Sequence, residues 1–184
     1  MDRRLVELAQ EGDEDAFDAL VRITGDRCLG IAYRILRDVD LAEDAVQTAY
    51  VSAWRELRSL RDPDRFESWL HRTLARACYE EARQTRRFAA NVRLLPIEST
   101  YRPDDAAGVV ERDQLERGIR RIPIEQRTFL VFHHYLGLTL PEIADRLDLP
   151  IGTVKSRLFY AVSAMRAVLE ADDRPTTTSR ERPA

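Results

Sequence analysis

TLPEIADRLDLPIGTVKSRLFYAVSAMR, residues 139–166, is the stretch on which the reading of this chain turns. Thr139 followed three residues on by Glu142 is a capping-box start, and Pro141 falls in the first turn, where a missing N–H leaves no donor unpaired. Ile143, Ala144 and Leu147 share one face at helical spacing, and Asp148-Leu149-Pro150 then stops the helix. Gly152-Thr153 restarts it, with Val154, Leu158, Ala161, Val162 and Met165 as the apolar stripe. Lys155, Ser156, Arg157, Phe159 and Tyr160 are left facing outward. No Asp or Glu occurs from Leu149 through Leu169, while Lys155, Arg157 and Arg166 supply three cations. A helix that approaches phosphates has to lack acids, so the pattern reads as a helix-turn-helix whose second helix lies against duplex DNA. The plainer alternative is a helical hairpin with a solvated charged face.

Outward from that stretch, composition sets the bounds. The chain has 184 residues, 44% of them hydrophobic, enough for one or two compact domains. No apolar run reaches the roughly 18 residues that a membrane span needs. The N-terminal MDRRLVELAQEGDED lacks the apolar core of a secretory signal, so a cytoplasmic protein is expected. Cys28 and Cys78 sit singly among apolar residues, as buried free thiols do. His133 and His134 are adjacent and diverge on a helix, so neither a metal nor any cofactor is expected. The net charge of −3 conceals a segregation. Residues 1–60 carry 13 acids against 8 bases, 61–93 carry 5 against 8, 94–148 carry 10 against 7, and 149–169 carry 0 against 3. The two basic islands suit nucleic acid and the acidic N-terminal part suits a basic protein surface.

Apolar spacing of three to four persists almost throughout, which predicts an all-α protein of two small helical domains joined by a flexible linker. A first helix is expected over about Asp13 to Thr24 (Phe17, Leu20 and Val21 inward) and a second over about Arg27 to Arg37 (Ile31, Ile35 and Leu36 inward). Asp40 with Glu43 would cap a third, burying Val46, Tyr50, Ala53, Trp54 and Leu57. After Arg61-Asp62-Pro63, Asp64 with Glu67 would cap a fourth, running to about Arg87 over Phe66, Trp69, Leu70, Leu74 and Ala77. Its outer side carries Arg65, Arg72, Arg76, Arg83 and Arg86, with Tyr79 nearby, the mixture of cations and rings that holds single-stranded nucleic acid. Phe66 and Trp69 at this spacing also read as ordinary core. The rhythm fails over 88–110, a linker, and returns from about Val110 to Arg121 and from Ile124 to Leu136, with Gly137 as the stop. The domains expected are therefore 1–87 and 111–170, with a disordered polar tail at 171–184.

The segments AEDAVQTAYVSAW (42–54), RDPDRFESWLHRTLARACYEEAR (61–83) and IPIEQRTFLVFHHYLGLTLPEIADRLDLPIGTVKSRL (122–158) together resemble the extracytoplasmic-function class of bacterial sigma factors, over about Gly12 to Leu169. These keep only the second and fourth sigma domains. The resemblance implies a transcription initiation subunit with no catalytic residues, partnered by core RNA polymerase through its clamp helices and flap, by promoter DNA and by an anti-sigma factor. Carried over by motif, Asp44, Gln47 and Tyr50 belong to the polymerase-binding helix. Leu60 to Phe66, with Arg61 and Arg65, form the loop that captures a flipped base of the minus-ten element, Arg72, Arg76 and Tyr79 lie beside the opened strand, and Trp69 belongs to the same element. Thr153, Lys155, Ser156, Arg157, Phe159 and Tyr160 face the minus-thirty-five element. The chain departs from the family at Arg76, where Asn is common, and at Tyr160, where a base is common. A sigma-like decoy that titrates an anti-sigma factor would keep the helices without needing Lys155 and Arg157. A nucleic-acid enzyme would need a carboxylate, His or Cys cluster that the spacing does not offer.

Overall fold

The computed structural model describes residues 1–91 and 118–172, and every regular element among them is helical. The N-terminal group comprises α1 (Arg3–Glu11), α2 (Glu14–Leu36), α3 (Val39–Glu56) and α4 (Phe66–Asn91), with short 3-10 turns at Leu57–Ser59 and Pro63–Arg65 between α3 and α4. The C-terminal group opens with helical residues 118–121, then α5 (Ile124–Leu130) with a π-helical extension Val131–Tyr135, α6 (Leu140–Leu147) and α7 (Ile151–Asp172). Residues 92–117, which include most of the expected linker and the helix from Val110, lie outside the described residues, as does the tail from residue 173.

Several expected boundaries move, each for a local reason. Helix α1 was not anticipated: Asp2 accepts from Arg4 N at its start, Val6 and Ala9 are buried, and Gly12 closes it at φ 102. The two helices expected over 13–37 are one, α2, continuous through Gly25. A mid-helix glycine costs about 1 kcal/mol, and the buried residues on either side, Leu20, Thr24, Cys28 and Ile31, outweigh it. Helix α3 is capped by Asp38, which accepts from Leu41 N at 3.1 Å, rather than by Asp40. Asp62 and not Asp64 caps the turn before α4, while Glu67 pairs with Arg27 at 2.7 Å.

The buried stripe of α3 is made of alanines. Ala42, Ala45, Ala49 and Ala53 are at most 2% exposed, whereas Val46 and Tyr50 are half-buried and Trp54 is 39% exposed, its ring against Phe17. Small residues at helical spacing allow α2 and α4 to approach α3 closely, and the larger side chains are left at the rim. Opposite them α4 buries Phe66, Leu70, Leu74, Ala77 and Cys78, with His71 and Ala75. Both cysteines are free and buried, and burial pushes the Cys78 thiol up to about 12.

The two groups of helices touch. Arg127 of α5 is buried and donates to the Ile35 carbonyl at 2.5 Å, in the last turn of α2, and to Ile122 O at 3.0 Å. Its burial lowers its pKa to about 10. Tyr135 lies against α2 where Gly30 leaves room, since a Cβ at Gly30 would come within 3.0 Å of the tyrosine hydroxyl. The Arg34 guanidinium covers the same ring at 3.7 Å.

Candidate nucleic-acid and polymerase surfaces

The helix-turn-helix forms as its sequence dictates. Thr139 and Glu142 make a reciprocal capping box, and Asp148 ends α6 in the left-handed region at φ 55, which Asp tolerates better than most residues. Pro150 O then receives the Thr153 and Val154 amides at 2.9 and 3.2 Å, starting α7. Val154 and Ala161 are fully buried, with Leu158, Val162 and Met165 half-buried. Lys155, Ser156, Phe159 and Tyr160 are exposed and pair at i, i+4 on one face, the last two at 67% and 60%. Thr153 is half-buried, its carbonyl taken by the Ser156 hydroxyl at 3.0 Å. Arg157 is exposed at the side of that face, its guanidinium 5.6 Å from the Phe129 ring centroid.

Helix α4 and the turn before it are differently placed. Leu60 is half-buried, Arg61 and Arg65 are exposed, and Pro63 is buried. Phe66, expected beside the captured base, is 0% exposed and is a core residue, because it begins α4 on the face that packs inward. Trp69 is half-buried, its ring tilted against Phe66 with the centroids 6.2 Å apart. Arg76 is exposed beside a polar groove of about 410 Å³ between α3 and α4, with Thr48, Ser52, Thr73 and Glu80. Tyr79, expected beside an opened strand, is instead half-buried, turned toward Thr128 of α5; burial raises its pKa.

Two cations of this surface are engaged by the helix-turn-helix itself. Arg65 pairs with Asp145 of α6, and Arg72 stands 3.7 Å from Asp148 at its end. Between these pairs His71, 1% exposed, accepts from Arg146 at 2.7 Å and meets the Phe132 ring edge-on. Burial first, then the Arg146 and Arg27 charges, hold His71 at about 3 and therefore neutral.

On α3, Asp44 and Gln47 are exposed, in line with Asp40 before them and Val51 after, the last 44% exposed. Tyr50 is turned away: its hydroxyl lies 2.7 Å from Thr24 Oγ1, and burial raises its pKa. Val51 went unnoticed in the sequence, although its i+4 spacing from Gln47 was the available signal. His133 is held by Leu138 O at 2.8 Å, and no group of metal-ligating residues occurs among those described.

The family profile for Sigma-70 region 2 matches residues 20–88, and that for Sigma-70, region 4 matches 112–165. The RNA polymerase sigma-H factor of Pseudomonas aeruginosa is 30% identical, covering 92% of this chain and 94% of its own length. The ECF RNA polymerase sigma factor SigM of Mycobacterium tuberculosis is 31% identical over 91% of this chain and 84% of that protein. The chain belongs to the extracytoplasmic-function class of the sigma-70 family. It is thus a sigma factor, a subunit that binds core RNA polymerase and directs transcription initiation at particular promoters. Among solved structures, CnrH in complex with the cytosolic domain of CnrY matches this sigma factor with a TM-score of 0.64 at 26% identity, over 93% of this chain and 98% of that one. RpoE of Bartonella quintana, solved with the anti-sigma factor NepR, shares the fold, with a TM-score of 0.68 at 22% identity over 86% and 98% of the two chains.

Proposed function

We propose that this sigma factor divides its work among three surfaces, and that α7 reads the minus-thirty-five element as duplex. The observation that carries this is a helix free of acids from Leu149 to Leu169 whose cations Lys155 and Arg157 are exposed. The row Asp40, Asp44, Gln47, Val51 on α3 meets a basic surface of core polymerase, acids and amide outward with one apolar contact among them. The turn from Leu60 to Arg65, with Arg72 and Arg76 one to three turns along α4, meets the minus-ten element. Phe66, Tyr50 and Tyr79 act from within the fold, holding those surfaces. The functional units are residues 1–87 and 111–170, the first lengthened by α4, which runs on to Asn91.

With Arg65 and Arg72 engaged by Asp145 and Asp148, the free protein offers its minus-ten surface with part of its charge cancelled. Core polymerase, by drawing the two helical groups onto separate sites, frees those cations. An anti-sigma factor is the natural opponent of that step, as RpoE is solved with one, NepR. No helix among the described residues is long and apolar enough to cross a membrane. The protein acts in the cytoplasm, beside the polymerase, with no chemistry of its own. Run-off transcription with core polymerase on a promoter library, followed by sequencing of the start sites, tests the assignment. Defined starts with shared upstream elements are expected. A protein that captures an anti-sigma factor yet supports no initiation would establish the decoy reading instead, which the exposed Lys155 and Arg157 disfavour.

A further inference from the structure

We propose that Gln10, at the end of α1, is a positioning residue for the minus-ten element, because its side-chain amide holds the turn that receives the unstacked base. The proposal rests on the assignment of Leu60 to Arg65 to that element. Gln10 is half-buried, and its Nε2 donates both hydrogens, to Leu57 O at 3.0 Å and to Leu60 O at 2.7 Å. These carbonyls bracket the point where the chain leaves helical geometry: Leu57 begins the 3-10 turn, and Leu60 is already extended at φ −71, ψ 108. Leu57 is anchored in the core at 1% exposure, so the amide ties the departing strand to a fixed point.

The rest of α1 is arranged to bring Gln10 there. Val6 and Ala9 are buried, and Gly12 ends the helix in a conformation that other residues resist, with the Arg58 side chain 3.1 Å from where its Cβ would stand. A second tie, Arg3 to Asp64 at 2.7 Å, joins two side chains that are each more than half exposed and contributes little. An unstacked base is captured only if the receiving turn already has its bound shape, since ordering a loop at that moment subtracts from the free energy available for opening the duplex. Loss of the amide leaves the Leu60 carbonyl without this donor and sets the turn loose at its first residue.

Gln10→Met keeps the length of the side chain and removes both donors. Holoenzyme reconstituted with this variant should initiate roughly tenfold less from a duplex promoter. On the same promoter with the minus-ten strand held open by mismatches it should fall within about twofold of the native protein, because opening no longer has to be driven by capture. Base changes at the captured position should cost the variant less than they cost the native protein, while circular dichroism and co-purification with core polymerase stay unchanged. Equal activity on duplex promoter, or an equal loss on duplex and pre-opened promoter, would overturn the proposal, the second by showing a merely structural role. If native holoenzyme showed no dependence on minus-ten sequence, the assignment of the turn would fail instead, so the two failures are distinguishable.

Discussion

Along α7 the charge that suits DNA is uncancelled: no acid intervenes between Leu149 and Leu169, and Lys155 and Arg157 stand exposed. Along α4 and the turn before it the same kind of charge is met from across the fold, Arg65 by Asp145 and Arg72 by Asp148, with His71 enclosed between the pairs. The acids that neutralise α4 belong to the helix-turn-helix unit that presents α7. On the proposed assignment, one unit carries both the duplex-reading helix and the carboxylates that would compete with DNA for the other unit's cations. A surface meant for duplex can stay open, whereas one that favours opened strands is better covered until polymerase is present, because exposed arginines attract the phosphates of any strand.

The comparison requires polymerase to act through a third surface, and its strongest test lies there. Substituting Asp44 and Gln47 together with Ala should abolish co-purification with core enzyme and leave circular dichroism unchanged, since both lie opposite the alanine seam. Retained co-purification would mean that α3 is not the contact and that α4 is freed some other way.

Next in size are the cations of α7. Lys155 lies on the exposed face with Phe159, and Lys155→Ala should cost roughly 1–3 kcal/mol at one promoter position and relax preference there. Arg157 leans to the side over Phe129, so Arg157→Ala should weaken all promoters alike and lower the salt slope by about one unit. Promoter-library activity at two salt concentrations separates these outcomes. If neither substitution changed activity or preference, α7 would not be a DNA surface.

The enclosure of His71 gives a pH dependence. Its folded value of about 3 lies below the ordinary 6.5, so an arrangement that releases the ring takes up a proton that the docked one refuses. Docking is then unaffected above about pH 6.5 and weakens by about 1.4 kcal/mol for each unit below it, down to about pH 3. Distance measurements between labels on α2 and α7 should show separation growing from pH 7.5 to 5, and His71→Gln should flatten the response. A flat profile in the native protein would remove His71 from the contact. The smallest effect belongs to the exposed pairs themselves, worth about 0.2–1 kcal/mol each. Asp145→Asn with Asp148→Asn should raise binding of a single-stranded minus-ten oligonucleotide by the free protein about two- to fivefold, read by fluorescence anisotropy. No gain would show that the pairs do not restrain α4.

The helix-turn-helix was legible because its signals are local: a cap from Thr139 to Glu142, a break at Asp148 to Pro150, and an apolar stripe that repeats within one helix. The all-α class and the exposure of Asp44 and Gln47 follow from the same periodicity, and the buried thiols from the apolar neighbours of Cys28 and Cys78. Apolar weight misleads where packing prefers small residues: Trp54 reads as core by its size, and of the alanine seam only Ala53 falls in the expected stripe, while Ala42, Ala45 and Ala49 yield to larger neighbours. The break expected between Thr24 and Arg27 does not form, because the low propensity of Gly25 is local and is outweighed by the burial of Leu20, Thr24, Cys28 and Ile31. Which cations are cancelled, that Phe66 and Tyr79 face inward, and that Gln10 reaches 50 residues along the chain to Leu60 were decided by tertiary structure alone. Periodicity assigns a residue to a face of its own helix, but a charge or a donor is spent on whatever the fold brings against that face.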